Sequence, residues 1–304
     1  MSNLTNSPLT KKPAVAISKK EVALYPFKMK VNVFAGEALL FLLTQILGLV
    51  AALKIGKNLP EITSQPIEIS WVRFLIYFAI GTATILVFLR LSKKTGIFFE
   101  IIFALAIFSG SQIIFGLIMP DFWAMFCAAL LVVVRFLRPS IISQNIAMVL
   151  TIAGIGSLLG LSLSVFSAII ILMVLSVYDF IAVYKTKHMI RMAKQMMQSR
   201  ALLAFVVPQT LTGYKSRLKD VKVGTGQVFI LGSGDVVMPL VAIAALSRFS
   251  VMHGLLVLLF SFLGLIFMQL IFNSQKVRRP MAALPPIALF TILGILTAML
   301  VFGY

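Results

Sequence analysis

Apolar side chains run along this chain in blocks about as long as a bilayer is thick, broken by short polar and basic turns. A spanning helix needs about 20 apolar residues at ~1.5 Å rise each. Blocks of that size fall at 33–53, 71–91, 97–118, 121–137, 141–160, 163–184, 228–248, 251–272 and 282–303. They are continuously apolar and lack the two-residue alternation of a barrel wall, so helices are predicted rather than strands. The pattern predicts an all-α polytopic membrane protein with nine transmembrane helices. It divides the chain into a polar tail over 1–32, helices one to six over 33–184, a basic loop over 185–227 and helices seven to nine over 228–304. The first block is too long for a typical signal-peptide core and is read as a retained helix.

Charge supports this division. Basic residues accumulate on the cytoplasmic side of membrane proteins, and successive loops must alternate. Counting loops between the predicted helices, 23 of the 27 Lys and Arg fall on one side: Lys11 to Lys30 in the tail, Arg90 to Lys94, Arg135 and Arg138, Lys185 to Lys222, and Lys276 to Arg279. The other side holds Lys54, Lys57, Arg73 and Arg248. The N-terminus is therefore expected in the cytoplasm and the C-terminus outside. The composition agrees: 60% of residues are hydrophobic, 12% are charged and the mean hydropathy is +1.05. A net charge of +18 in a soluble chain would raise the question of nucleic acid. Here the cations lie between apolar blocks, and the lipid bilayer is the partner they fit.

Within the long loop, His188-Met189-Ile190-Arg191-Met192-Ala193-Lys194-Gln195-Met196-Met197 spaces methionines and cations as a helix on the leaflet surface would, and equally as a solvated extension of the sixth helix. The apolar run 201–207 before Pro208 is too short to cross and is read as packing or dipping into the interface. No internal repeat is visible, which gives no support to an inverted-repeat transporter.

Of nine acidic residues, five lie in loops or at helix ends. Glu37 and Glu100 sit near cytoplasmic helix starts, where a carboxylate reaches headgroups or favours a helix N-terminus. Asp179 and Asp235 are flanked on both sides by apolar sequence, where a carboxylate costs several kcal/mol unless compensated. The sixth helix descends to Asp179 about five residues before its end, and the seventh rises to Asp235 about seven residues after its start, roughly 8 to 11 Å below the cytoplasmic boundary. Antiparallel neighbours would set the two face to face. Two such carboxyls cannot both ionise cheaply and should share a proton near neutral pH. That arrangement suits peptide hydrolysis, one carboxyl acting as general base and the other polarising the scissile carbonyl. Gly232 and Gly234 would let a substrate backbone approach, and Tyr178 would anchor by packing or hydrogen bonding. The same carboxylates are also compatible with helix-to-helix hydrogen bonding, or with a proton or cation relay in a transporter or channel.

Tyr178-Asp179 and Gly232-Ser233-Gly234-Asp235, on consecutive predicted helices, resemble the motifs of the presenilin and signal peptide peptidase family of GxGD intramembrane aspartyl proteases. A third family motif, Pro-Ala-Leu at the ninth helix, is matched by Ala283, Leu284 and Pro285, with Ala282 standing where the family's proline would be and Pro280, Pro285 and Pro286 stiffening the segment. The resemblance implies an aspartic endopeptidase that cleaves transmembrane segments of membrane proteins or signal peptides after local unwinding. It implies Asp179 and Asp235 as catalytic residues, supported by Tyr178, Gly232, Gly234, Ala282, Ala283, Leu284 and Pro285. The orientation is similar to presenilin and inverted relative to signal peptide peptidase. The compact sixth loop suggests a microbial, archaeal-type homologue in a prokaryotic cell membrane, with no obligatory partner subunit and with a homo-oligomer left open. No cofactor is expected. His188 and His253 lie in separate segments, so no metal site is expected either. Ser233 lacks a histidine on its own side of the membrane for serine protease chemistry. The glycine pairs 224/226 and 232/234 are followed by no Lys-Ser/Thr of a nucleotide loop. Cys127 has no intrachain disulfide partner.

Overall fold

In the computed structural model, which describes residues 31–62, 70–91, 95–186, 201–218, 228–275 and 281–303, the chain is mostly helical. Nine α-helices form among these residues: α1 (Val31–Ile62), α2 (Trp71–Leu91), α3 (Thr95–Gly116), α4 (Asp121–Leu137), α5 (Ile141–Leu161), α6 (Val165–Ile181), α7 (Ser233–Ser247), α8 (Val251–Ser274) and α9 (Leu284–Phe302). Six of them, α1, α3, α5, α6, α8 and α9, are long and apolar enough to cross a membrane, and α2 and α7 contain shorter apolar stretches. The predicted surface helix over 188–197, the tail 1–30 and Pro280 lie outside the described residues.

Local chemistry sets several boundaries. Ser140 and Ser143 form a capping box at the start of α5, and Ser164 and Ser250 cap α6 and α8 through their hydroxyls. Gly303, at φ 81°, closes α9 in the left-handed region where glycine is favoured. Large apolar side chains such as Leu39, Leu105, Leu259 and Leu289 point outward and are exposed, an arrangement that suits lipid as the solvent.

The centre of the bundle is α7. It packs against α1, α5, α6, α8 and α9, and every residue from Pro239 to Ser247 is buried. Close approach depends on Gly160 of α5, where a Cβ would lie 2.5 Å from the Val241 carbonyl oxygen.

Two segments differ from the sequence expectation. The block read as one helix over 228–248 begins instead as a strand, β2 (Val228–Gly232), and turns helical only at Ser233. Its partner is the short apolar run before Pro208, which is a strand, β1 (Ala204–Pro208). The strands are antiparallel, with Ala204 opposite Gly232 and Val206 opposite Ile230. Arg135, counted among the loop cations, lies in the last turn of α4 and is fully buried. Its Nε donates to Gln144 Oε1 at 2.7 Å, and its guanidinium lies over the rings of Phe103 and Phe136.

These residues hold the sheet. Gln144 Nε2 donates to the carbonyls of Leu202 (2.6 Å) and Ala204 (3.0 Å). Asn145 Nδ2 donates to the Val206 carbonyl at 2.8 Å, and the Val206 N–H donates back to Asn145 Oδ1 at 3.0 Å. One edge of β1 thus pairs with β2 and the other with amide side chains of α5. β1 is buried along its length, whereas β2 is mostly half-buried and, among the described residues, has β1 as its one strand neighbour.

Candidate active site

Asp179 stands two residues before the end of α6, where the helix widens into a π-helical turn over Ala182–Thr186. Its side chain is buried. The Leu284 N–H, at the first position of α9, donates to Asp179 Oδ2 at 3.3 Å. Ala283, the residue before that helix, offers no side chain for capping. A carboxylate from another helix supplies the acceptor, at a helix end whose dipole favours negative charge.

Asp235 stands in the first turn of α7, three residues after Gly232, whose backbone N–H donates to its carboxylate. This is the backward half of a capping box, with the acid at the third helical position. Its place follows from the strand: β2 takes the first five residues of the predicted span, so Asp235 lies at the mouth of α7 rather than two turns inside it. Pro239, four residues on, has no N–H to give the Asp235 carbonyl, which loosens this first turn. Gln45 of α1 braces it, donating to the Val236 carbonyl at 2.9 Å.

The carboxyls of Asp179 and Asp235 are brought within electrostatic reach of each other. α6 and α9 present one, and the junction of β2 with α7 presents the other. Among the described residues no cluster of His, Cys, Asp and Glu converges tightly enough to hold a metal ion.

The supporting residues divide. Leu284 is buried against Asp179 and Ala282 is buried two residues before it, with Ala283 and Pro285 half-buried. A Cβ at Gly232 would lie 3.0 Å from Asp235 Oδ2, whereas Gly234 faces open space. Tyr178 does not join the carboxyls: it is exposed, and its ring meets Phe78 of α2 edge-on at 6.2 Å. Gln45, Gln144 and Asn145 were not singled out by sequence. Their signal is an amide inside an apolar block, the polar counterpart of the isolated aspartates.

The fold and site define a helical membrane protein with two acidic side chains in its interior, within electrostatic reach of each other. Residues 38–304 match the family described as signal-peptide peptidase, presenilin aspartyl protease. The chain belongs to this family and is an aspartic-type intramembrane endopeptidase. The fold is similar to a solved presenilin family intramembrane aspartate protease in a C222 crystal, with 22% identity, 86% of this chain and 95% of that one covered and a TM-score of 0.59. A P2 crystal form of a presenilin family intramembrane aspartate protease gives 23% identity, 87% and 96% coverage and a TM-score of 0.59. A search of the curated proteins gives no match.

Proposed function

We propose that Asp179 and Asp235 are the catalytic dyad, and that the substrate is a transmembrane segment of a membrane protein or a signal peptide, cleaved within the bilayer. The observation that carries this reading is that the two carboxyls lie within electrostatic reach of each other, each held by a backbone N–H at a helix mouth. With one proton between them, the ionised carboxyl takes a proton from water as the water oxygen bonds to the scissile carbonyl carbon. The other gives its proton to the carbonyl oxygen, leaving a gem-diol. Collapse delivers a proton to the amide nitrogen, breaks the C–N bond and returns a proton from one hydroxyl, so the dyad ends as it began.

A helical substrate cannot present its carbonyl, because its backbone groups are bonded to one another. The free side of β2 offers an unwound segment the backbone partners it has lost, three residues from Asp235. The absence of a side chain at Gly234 leaves room for that backbone. Nine crossings from a cytoplasmic N-terminus to an outside C-terminus, in a prokaryotic cell membrane, are supported by the distribution of Lys and Arg. The basic loop over 185–227 then separates a six-helix unit from the three-helix unit that carries Asp235. The enzyme acts without an obligatory partner subunit.

The test is cleavage of a single-pass substrate by the purified chain in detergent. Asp179→Asn and Asp235→Asn are each expected to lower the rate on the order of a thousandfold or more, and a transition-state analogue of aspartic proteases to block it. Fragments that persist in either variant would overturn the dyad.

A further inference from the structure

Glu37 has no exposed surface. Sequence places it near a helix start with access to headgroups, yet α1 already begins at Val31 and Glu37 faces the interior from the second turn. Gln269 of α8 donates through Nε2 to Glu37 Oε2. Phe41, one turn further on the same face of α1, shares a core cluster with Met268, the neighbour of Gln269, and with Leu231 and Val236, which flank the Gly-Ser-Gly-Asp segment. Gln45, two turns beyond Glu37, reaches the Val236 carbonyl. This face of α1 therefore runs along the mouth of α7, and the Glu37 carboxyl lies within electrostatic reach of Asp235.

A carboxyl in such a place carries a large desolvation cost, and one amide donor offsets only part of it. Glu37 Oε1 and Gln269 Oε1 have no hydrogen-bond partner among the described residues. Glu37 and Asp235, in electrostatic reach of each other where the dielectric is low, cannot both ionise cheaply, so the charge on one depends on the other and through Asp235 bears on the dyad. We propose that Glu37 is a third acidic member of the active site, a positioning residue whose ionisation, favoured by Gln269 and opposed by burial, sets how a proton is shared by Asp179 and Asp235. This rests on the assignment of those two as the dyad. The other ionisable groups around it are few. α7 brings Asp235, and the turn over Leu211–Lys215 brings Tyr214, whose hydroxyl lies against Gly36 and whose phenol is pushed up by burial. α5, β1 and this end of α8 bring none.

The sign follows from like charges. Where Glu37 ionises, its charge opposes loss of the dyad's shared proton, so a side chain that cannot ionise lets that proton leave at lower pH. Glu37→Gln keeps the shape and cannot ionise. Gln269→Leu removes the donor that favours the charge and acts in the same direction, and it serves if Glu37→Gln does not fold. The experiment measures cleavage of a single-pass substrate by the full chain across about pH 5 to 8. The alkaline limb is expected to move down by about half a pH unit or more in Glu37→Gln, and by less in Gln269→Leu. A limb that stays in place in the folded variants, whatever their rate, leaves Glu37 as a packing partner and overturns the proposal. Asp179→Asn and Asp235→Asn measured alongside separate the failures. Cleavage that persists in them removes the dyad and this proposal with it, whereas inactive dyad variants with unmoved profiles remove Glu37 alone.

Discussion

The Leu284 N–H donates to the Asp179 carboxylate at 3.3 Å, and the sequence around it explains why this amide serves. Helix starts leave N–H groups without partners. In α9 the next two residues, Pro285 and Pro286, have no N–H at all, so Leu284 carries the one donor among the first three helical positions. The Ala283-Leu284-Pro285 motif thus reduces the helix start to a single amide and aims it at an acid from α6.

This bond separates stability from catalysis at Asp179. Asparagine keeps an acceptor oxygen for Leu284, and alanine does not. Both Asp179→Asn and Asp179→Ala should abolish cleavage. Asp179→Ala should in addition lose about 1–3 kcal/mol relative to Asp179→Asn, because a buried N–H is left without a partner. Thermal unfolding of the two variants in detergent measures the difference, and equal melting would deny the amide its structural role.

The clamp on β1 gives a second prediction. Asn145 satisfies both backbone groups of Val206, and Asn145→Ala leaves both buried and unpaired, at about 2–4 kcal/mol. Since β1 sets the register of β2 and hence the approach to Asp235, activity should fall along with the melting temperature. A variant that melts earlier yet cleaves at the parental rate when folded would uncouple the sheet from the site.

Gly160 makes a third. Its Cβ would press on the Val241 carbonyl and on Ala244, both backed by the bundle. Gly160→Ala should cost about 1–3 kcal/mol through separation of α5 from α7, read as a lower unfolding midpoint. Gly81, with open space around it, should accept alanine without loss.

The helical blocks were legible because lipid demands long apolar runs, and Asp179 and Asp235 because an acid inside such a run stands out. What escaped was non-local. Val228-Phe229-Ile230-Leu231-Gly232 reads equally as helix or strand by periodicity, and only its pairing with 204–208 decides. Arg135 looked like a loop charge because its acceptor, Gln144, lies beyond the turn on the next helix. Glu37 meets its donor 232 residues away. Tyr178 shows the reverse: adjacency to Asp179 in sequence put it on another face of α6, turned to Phe78.

The two glycines before Asp235 should respond differently to the same substitution. At Gly232 a Cβ would sit 3.0 Å from Asp235 Oδ2, tighter than ordinary contact, so the carboxylate or the strand end must shift by a few tenths of an ångström. Displacing a reacting group is felt directly in the chemical step, and Gly232→Ala should lower kcat by about tenfold or more. At Gly234 nothing lies within 4 Å, so alanine disturbs no protein atom and also favours the helix. Gly234→Ala should therefore melt no earlier than the parent chain. If the open space beside Gly234 is where the unwound substrate lies, its loss of kcat/KM should come chiefly through KM. Kinetics on one substrate with both variants decide: a kcat effect at 232 and a KM effect at 234 would mark one glycine as protecting the acid and the other as admitting the substrate. Parental kinetics in Gly234→Ala would move the substrate path away from this side of α7.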